Sequence, residues 1–293
     1  MSEISLQLLQ HIQRIHIQTK QLAQDLLAGA YRSAFKGKGM EFEEVRVYEN
    51  GDEIRDIDWK VSARMNQPFV KTFREEREIT VMLVVDVSAS SRFGTGDKRK
   101  SDLIAEIGGV IAFSAIKNND KVGLLLFSDR VEKYLIPKSG VRHVLRVIRE
   151  LLAFKPKGKG TDIGKALAYL GNIHRKSSVC FLISDFICSD YSHELTLIAR
   201  KHDVIGISVN DPAEVSFPDV HLVEVSDLEN GQSVLVNSSS RKIQEFFENG
   251  AKERLKSCKH IVNGAGAGFI DIRTDKPYIP EIKKFFKLRG KNR

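Results

Sequence analysis

The sequence predicts a doubly wound α/β protein with a mostly parallel sheet and one antiparallel edge strand, preceded by an N-terminal helix and a small strand-rich insert. Three observations predict it. From Ile79 onward, apolar runs of strand length alternate with longer helical patterns, as a parallel sheet wrapped on both faces requires. Two of those runs, ITVMLVVD at Ile79 and VCFLIS at Val179, are continuous rather than alternating, which suits strands buried on both sides. Only Asp129 and Arg130 separate GLLLFS from VEKYLIP, too short a link for a parallel crossover, so that pair forms an antiparallel hairpin.

Taken in order, residues 3–28 contain few helix breakers and place Leu8, Ile12, Ile15, Leu22 and Leu26 near one face, an amphipathic helix ending at Gly29. From Glu43, Val45 and Val47 alternate with charged residues up to Asn50-Gly51, a strong hairpin signal, and Ile54 and Ile57 resume the pattern. Trp59, the single tryptophan, is expected as an anchor against the larger domain. Strands then follow near 79–86, 121–128, 131–136, 178–184, 203–209 and 220–225, and helices near 99–117, 140–153, 162–173, 190–201 and 240–257. The expected divisions are a helix over 1–35, the strand-rich segment over 36–78, the α/β domain over 79–275 and a basic helical tail over 276–293.

Composition narrows the function. With 42% hydrophobic and 29% charged residues the chain buries a substantial core, and no apolar run reaches the roughly 20 residues of a membrane-spanning helix. The first residues lack a basic start and a continuous apolar stretch, so the expected location is cytoplasmic. Cys180, Cys188 and Cys258 have neither C-x-x-C spacing nor an even count, which argues against a disulfide framework or a zinc site. Of the net charge of +8, residues 276–293 carry +6, from seven Lys or Arg and Glu281. A closing helix with Ile279, Ile282, Phe285 and Phe286 inside and lysines outside accounts for this; a nucleic-acid arm is the less favoured reading.

The run ending Asp86-Val87-Ser88-Ala89-Ser90 leaves a strand with a carboxylate and two hydroxyls at alternate positions, all hard oxygen donors suited to magnesium or manganese. Thr161, after the glycine-rich GKG, and Asp185, after VCFLIS, stand where they complete such a site at the top of an open sheet. The competing reading is that Asp86, Ser88 and Ser90 cap turns and that Thr161 caps the next helix.

Enzyme signatures fail. There is no G-x-S-x-G; His193-Glu194 is followed by Leu197 where a zinc protease needs histidine; GTDIGKA at Gly160 is one residue short of a phosphate loop and has Ala166 where Ser or Thr belongs. Ser88 stands where aspartate-based phosphotransferases carry their second acid, and no general base is identifiable beside the oxygen set.

D-x-S-x-S followed by the threonine and the aspartate resembles the metal-ion-dependent adhesion site of von Willebrand factor A domains, matching at all five positions. The segment Gly37 to Arg64, with its Glu-Phe, Gly-Asp, Arg-x-Ile-Asp-Trp and Ala-Arg elements, resembles a bacterial family known as domain of unknown function fifty-eight, which carries an A-type domain behind that signature. The chain departs from it in having Ser91 and Arg92 after Ser90, where many relatives have a methionine. The resemblance implies a von Willebrand factor A-like fold. In its site Ser88, Ser90 and Thr161 ligate through hydroxyls, and Asp86 and Asp185 directly or through water. It also implies a partnership with a MoxR-type AAA+ ATPase or its client through an acidic partner residue. The expected function is a non-enzymatic, metal-dependent protein-interaction module; the alternative is a magnesium-dependent hydrolase or phosphatase. Asp52, Arg55, Asp58 and Arg64 are expected as a second docking face.

Overall fold

The computed structural model describes residues 41–49, 51–74, 78–96, 98–216, 221–226 and 233–291. The helix expected over 3–28, and Asn50, lie outside them. The described chain forms two compact units that meet in sequence between Ile79 and Thr80.

In the smaller unit β1 (Glu41–Val47) pairs antiparallel with β2 (Phe69–Arg74), and α1 (Trp59–Met65) lies between them in sequence. The hairpin expected at Asn50-Gly51 is therefore corrected. Ile54 falls in a short 3-10 turn and Ile57 makes only a single bridge to Val70. Local polar bonds divert the chain. Asp52 closes the loop through a two-armed pair with Arg46 at 2.6 and 2.8 Å, and Asp58 caps α1 by accepting from Lys60 and Val61 N–H. Trp59 opens α1 and is 68% exposed.

The larger unit is built on six strands: β3 (Thr80–Asp86), β4 (Lys121–Phe127), β5 (Val131–Lys138), β6 (Val179–Ser184), β7 (Asp203–Asn210) and β10 (Gly268–Arg273). They are ordered β10-β7-β6-β3-β4-β5, all parallel except β5, which pairs antiparallel with β4 at the edge as the short link requires. Val81 to Val85 have no exposed surface. Met82 and Val84, with Cys180 and Leu182 beside them, face a core shared with α4 (Ile163–Ile173), α5 (Ser192–Ala199) and α7 (Arg241–Gly264).

The opposite face takes α2 (Lys100–Lys117), α3 (Val141–Ala153) and α8 (Ile279–Lys291). Gly108 allows the close approach there, since a Cβ on it would stand 2.8 Å from Leu151 Cδ1 and 3.7 Å from Leu83 Cδ1. Ile282 and Phe286 of α8 are buried, Phe286 edge-on to Phe181, while Lys283, Lys284 and Lys287 are exposed, as a closing helix requires.

A second correction concerns the strand expected at 220–225. Residues Leu222–Ser226 (β8) pair antiparallel with Ser233–Asn237 (β9) in a separate ribbon, with Leu222 and Leu235 exposed. The place in the main sheet goes to β10, which the sequence reading left out. The short helix α6 (Pro212–Val215) follows β7 directly, so the crossover that returns the chain to the sheet is α7, after the ribbon.

Candidate metal centre

From β3 the chain runs outward through β4 and β5 to one edge, then returns to β6 on the other side of β3. The order thus reverses between β3 and β6, and in open α/β sheets the crevice at the carboxyl ends of such strands is where ligands bind. Asp86 ends β3 and Asp185 follows β6, one on each side of that point.

Backbone bonds gather the remaining segments. Val87 N–H donates to Phe127 O at 2.8 Å, and Ala89 N–H donates to Lys159 O at 3.0 Å, clasping the serine loop to the glycine-rich loop that carries Thr161. That second loop is shaped by Glu132 on β5, whose Oε1 accepts from Gly158 N–H at 2.7 Å, Lys157 N–H at 3.0 Å and Ser128 Oγ at 2.7 Å. A Cβ at position 158 would collide with the Ser128 and Asp129 side chains, so the loop needs glycine there. Glu132 went unrecognised in the sequence because the backbone donors it accepts from lie 25 and 26 residues away.

Asp86 is 2% exposed, so it belongs to the core margin rather than to a surface loop. Its Oδ1 accepts from Ser88 N–H at 2.9 Å and its Oδ2 from Ser184 Oγ at 2.6 Å. Ser88 Oγ and Ser90 Oγ lie 3.0 Å apart. Burial first, and then the negative charge of Asp185, push the Asp86 carboxyl up to about 6 against the hydrogen bonds of Ser184 and Ser88. The turn-capping reading is correct for Asp86, which caps its own turn, but not for Thr161: the cap of α4 is Asp162, accepting from Lys165 N–H at 2.8 Å.

Asp185 is held differently. Its Oδ1 accepts from Ile187 N–H at 3.1 Å, and its Oδ2 accepts from Lys100 Nζ at 2.8 Å. Lys100 is 1% exposed and also donates to Glu214 Oε1 at 2.6 Å. Burial alone lowers an ammonium's pKa, yet Asp185 and Glu214 hold this one above its ordinary value. Glu214 Oε2 accepts from Asp211 N–H, and buried Asp211 accepts from Thr95 N–H, Thr95 Oγ1, Ala213 N–H and Thr274 Oγ1. The sequence reading missed Lys100, Asp211 and Glu214. A faint signal existed: Lys100 opens α2, at the positive end of a helix dipole where a lysine is unfavourable without a partner.

The donor set fits a hard divalent ion. Among the described residues no three His, Cys, Asp or Glu side chains gather into a metal site, so an ion here relies on hydroxyls as well as carboxylates. Lys100 and Glu214 offset one another, and the two carboxylates of the oxygen set itself, Asp86 and Asp185, match one divalent cation. Cys188 near the site is no thiolate, since burial pushes it up to about 12. A cleft of about 130 Å³ adjoins Asp185, lined by Glu214, Asn210, Asp271, Arg254 and Arg273 among others. Of the expected docking face, Asp52 is engaged by Arg46 and Asp58 by its own helix and by Lys71 at 3.4 Å, while Arg55 and Arg64 are exposed.

The strand order, mostly parallel with one antiparallel edge strand, is that of a von Willebrand factor A-like α/β fold. The family model for the protein of unknown function DUF58 matches residues 44–257, and the chain belongs to that family. An uncharacterized protein of Mycobacterium tuberculosis is 29% identical over 281 residues, covering 95% of this chain and 88% of the relative. Solved structures similar to it include an aerotolerance-related membrane protein from Bacteroides fragilis, at 14% identity, 73% and 100% coverage and a TM-score of 0.47. Another is a von Willebrand factor type A structure from Catenulispora acidiphila, at 10% identity, 76% and 44% coverage and a TM-score of 0.41. No described helix is long and apolar enough to cross a membrane.

Proposed function

We propose that this protein is a non-enzymatic, metal-dependent protein-interaction module. Asp86, Ser88, Ser90, Thr161 and Asp185 would hold a magnesium or manganese ion, and the ion would supply a Lewis-acidic position for a carboxylate of the partner. The observation that carries this reading is the placement of two buried carboxylates astride the reversal point of the sheet, close enough for one to raise the proton affinity of the other. With Lys100 offset by Glu214, a divalent ion neutralises the pair without creating an anionic barrier to an incoming Asp or Glu. The partner class expected from the family resemblance, a MoxR-type AAA+ ATPase or its client, is the first to test.

Calorimetry with Mn²⁺ on the wild type, Asp86→Ala and Thr161→Val, followed by pull-down of candidate ATPases with and without chelator, tests both steps. Metal binding lost in the variants and capture lost with chelator support the reading. Capture indifferent to chelator and to Asp185→Ala removes the metal from the mechanism, and magnesium-dependent phosphatase activity removes the non-enzymatic assignment.

A further inference from the structure

We propose that Lys100 is a built-in counter-ion of this site, a positioning residue that holds the carboxylate end of the sheet together without metal and lowers the affinity for metal. The metal part of this inference rests on the function proposed above; the counter-ion part does not.

A cation taken out of water loses several kcal/mol of hydration unless partners replace it, and the first turn of a helix adds an unfavourable dipole. Lys100 accepts both penalties, with a side chain 1% exposed at the first position of α2. What compensates is specific: Asp185 Oδ2 at 2.8 Å and Glu214 Oε1 at 2.6 Å, reached across 85 and 114 residues of sequence. Asp185 and Glu214 are thereby joined through one ammonium, and Glu214 in turn secures the Asp211 amide.

The two site carboxylates now differ in one respect. Both oxygens of Asp86 accept only neutral donors, Ser88 N–H and Ser184 Oγ, so its charge is uncompensated. Asp185 shares its charge with Lys100. A divalent ion entering beside Asp185 therefore meets a cation already in contact with that carboxylate, which weakens its binding. Glu214 tunes the effect, because it draws part of the Lys100 charge away from Asp185.

This arrangement makes opposite predictions for two neighbours. Lys100→Met should bind Mn²⁺ about ten-fold more tightly than wild type, while melting earlier in chelator, so that its metal-induced rise in Tm is larger. Glu214→Gln, which keeps the amide contact to Asp211, leaves the whole Lys100 charge on Asp185 and should bind Mn²⁺ several-fold more weakly. Lys100→Arg keeps the charge and should stay near wild type in both readouts. A purely structural lysine would not move affinity in opposite directions.

Titration calorimetry with Mn²⁺ and thermal melts in chelator on the full chain decide it. Weaker binding in Lys100→Met with the fold retained, or unchanged binding in Glu214→Gln, overturns the inference. Should wild type bind no metal, the proposed function fails alone, and the melts of Lys100→Met and Lys100→Met/Glu214→Gln still decide the counter-ion role. The double variant, with one fewer unbalanced carboxylate, should regain stability over the single. If it is no more stable, Lys100 is not a counter-ion.

Discussion

At the amino ends of β6 and β7, Ser178 and His202 share a hydrogen bond of 2.8 Å, and the His202 ring lies 5.8 Å from that of His174. The Nε2 atoms of both histidines are buried without a hydrogen-bond partner. Burial first, then the charges of His174 and Lys201, push His202 down to about 4, so its ring stays neutral near pH 7. At the carboxyl ends of the same strands stand Asp185 and Asp211, both buried, and every carboxylate oxygen of each accepts a hydrogen bond. In the histidine cluster burial suppresses charge, whereas at the carboxyl ends dedicated donors retain it. The contrast shows that burial alone does not decide ionisation: a buried group stays charged where donors converge on it, and loses its charge where they do not.

The largest effect is expected at the charged end. Asp86→Ala should lower Mn²⁺ affinity more than ~100-fold, beyond what loss of a supporting contact does, with far-UV circular dichroism unchanged. Metal binding equal to wild type would make the carboxyl end structural too, and the contrast would collapse.

The two ends should also show opposite pH dependence in metal-free protein. His202 titrates near 6.5 in an unfolded chain and about 4 in the fold, so the unfolded chain takes the proton first. Its stabilisation is complete above about pH 6.5 and is lost as pH falls to about 4, a total of about 3 kcal/mol. Asp86, ordinarily near 3.8, is raised to about 6, so the fold takes that proton first and gains stability as pH falls below about 6. Denaturant melts from pH 7 to 4 should therefore show a steeper acid loss in Asp86→Ala and a flattened or reversed slope in His202→Gln. The same slope in both variants would refute the assignment of opposite signs.

Ser184→Ala removes the donor to Asp86 Oδ2 and the acceptor for Phe186 N–H. Mn²⁺ affinity should fall roughly ten-fold, and the melting temperature should drop as well. The smallest change is expected from Glu132→Gln, which weakens the grip on Gly158 and Lys157 N–H; the metal affinity should fall only about two- to three-fold, the value of one charge-assisted bond partly kept by a neutral acceptor. A larger loss there than in Ser184→Ala would mean that the glycine loop, rather than the β3 end, organises the site.

Much of this was legible in residue order alone. Continuous apolar runs marked β3 and β6 as buried strands, the two-residue link dictated the antiparallel edge, and Asp86, Ser88, Ser90 and Asp185 stood out as oxygen donors at or just beyond strand ends. Those signals are local, set by side chains within a few residues of one another. Tertiary structure decided the rest. Whether 222–226 or 268–273 joins the sheet depends on which segment returns beneath a helix, and both have strand composition. Asp162 rather than Thr161 caps α4 because the loop is drawn in by Glu132 and by Ala89. The Lys100 bridge joins residues 85 and 114 positions apart, and no periodicity encodes it. A buried charge is stable only beside its partner, and the partner's place is a property of the folded chain.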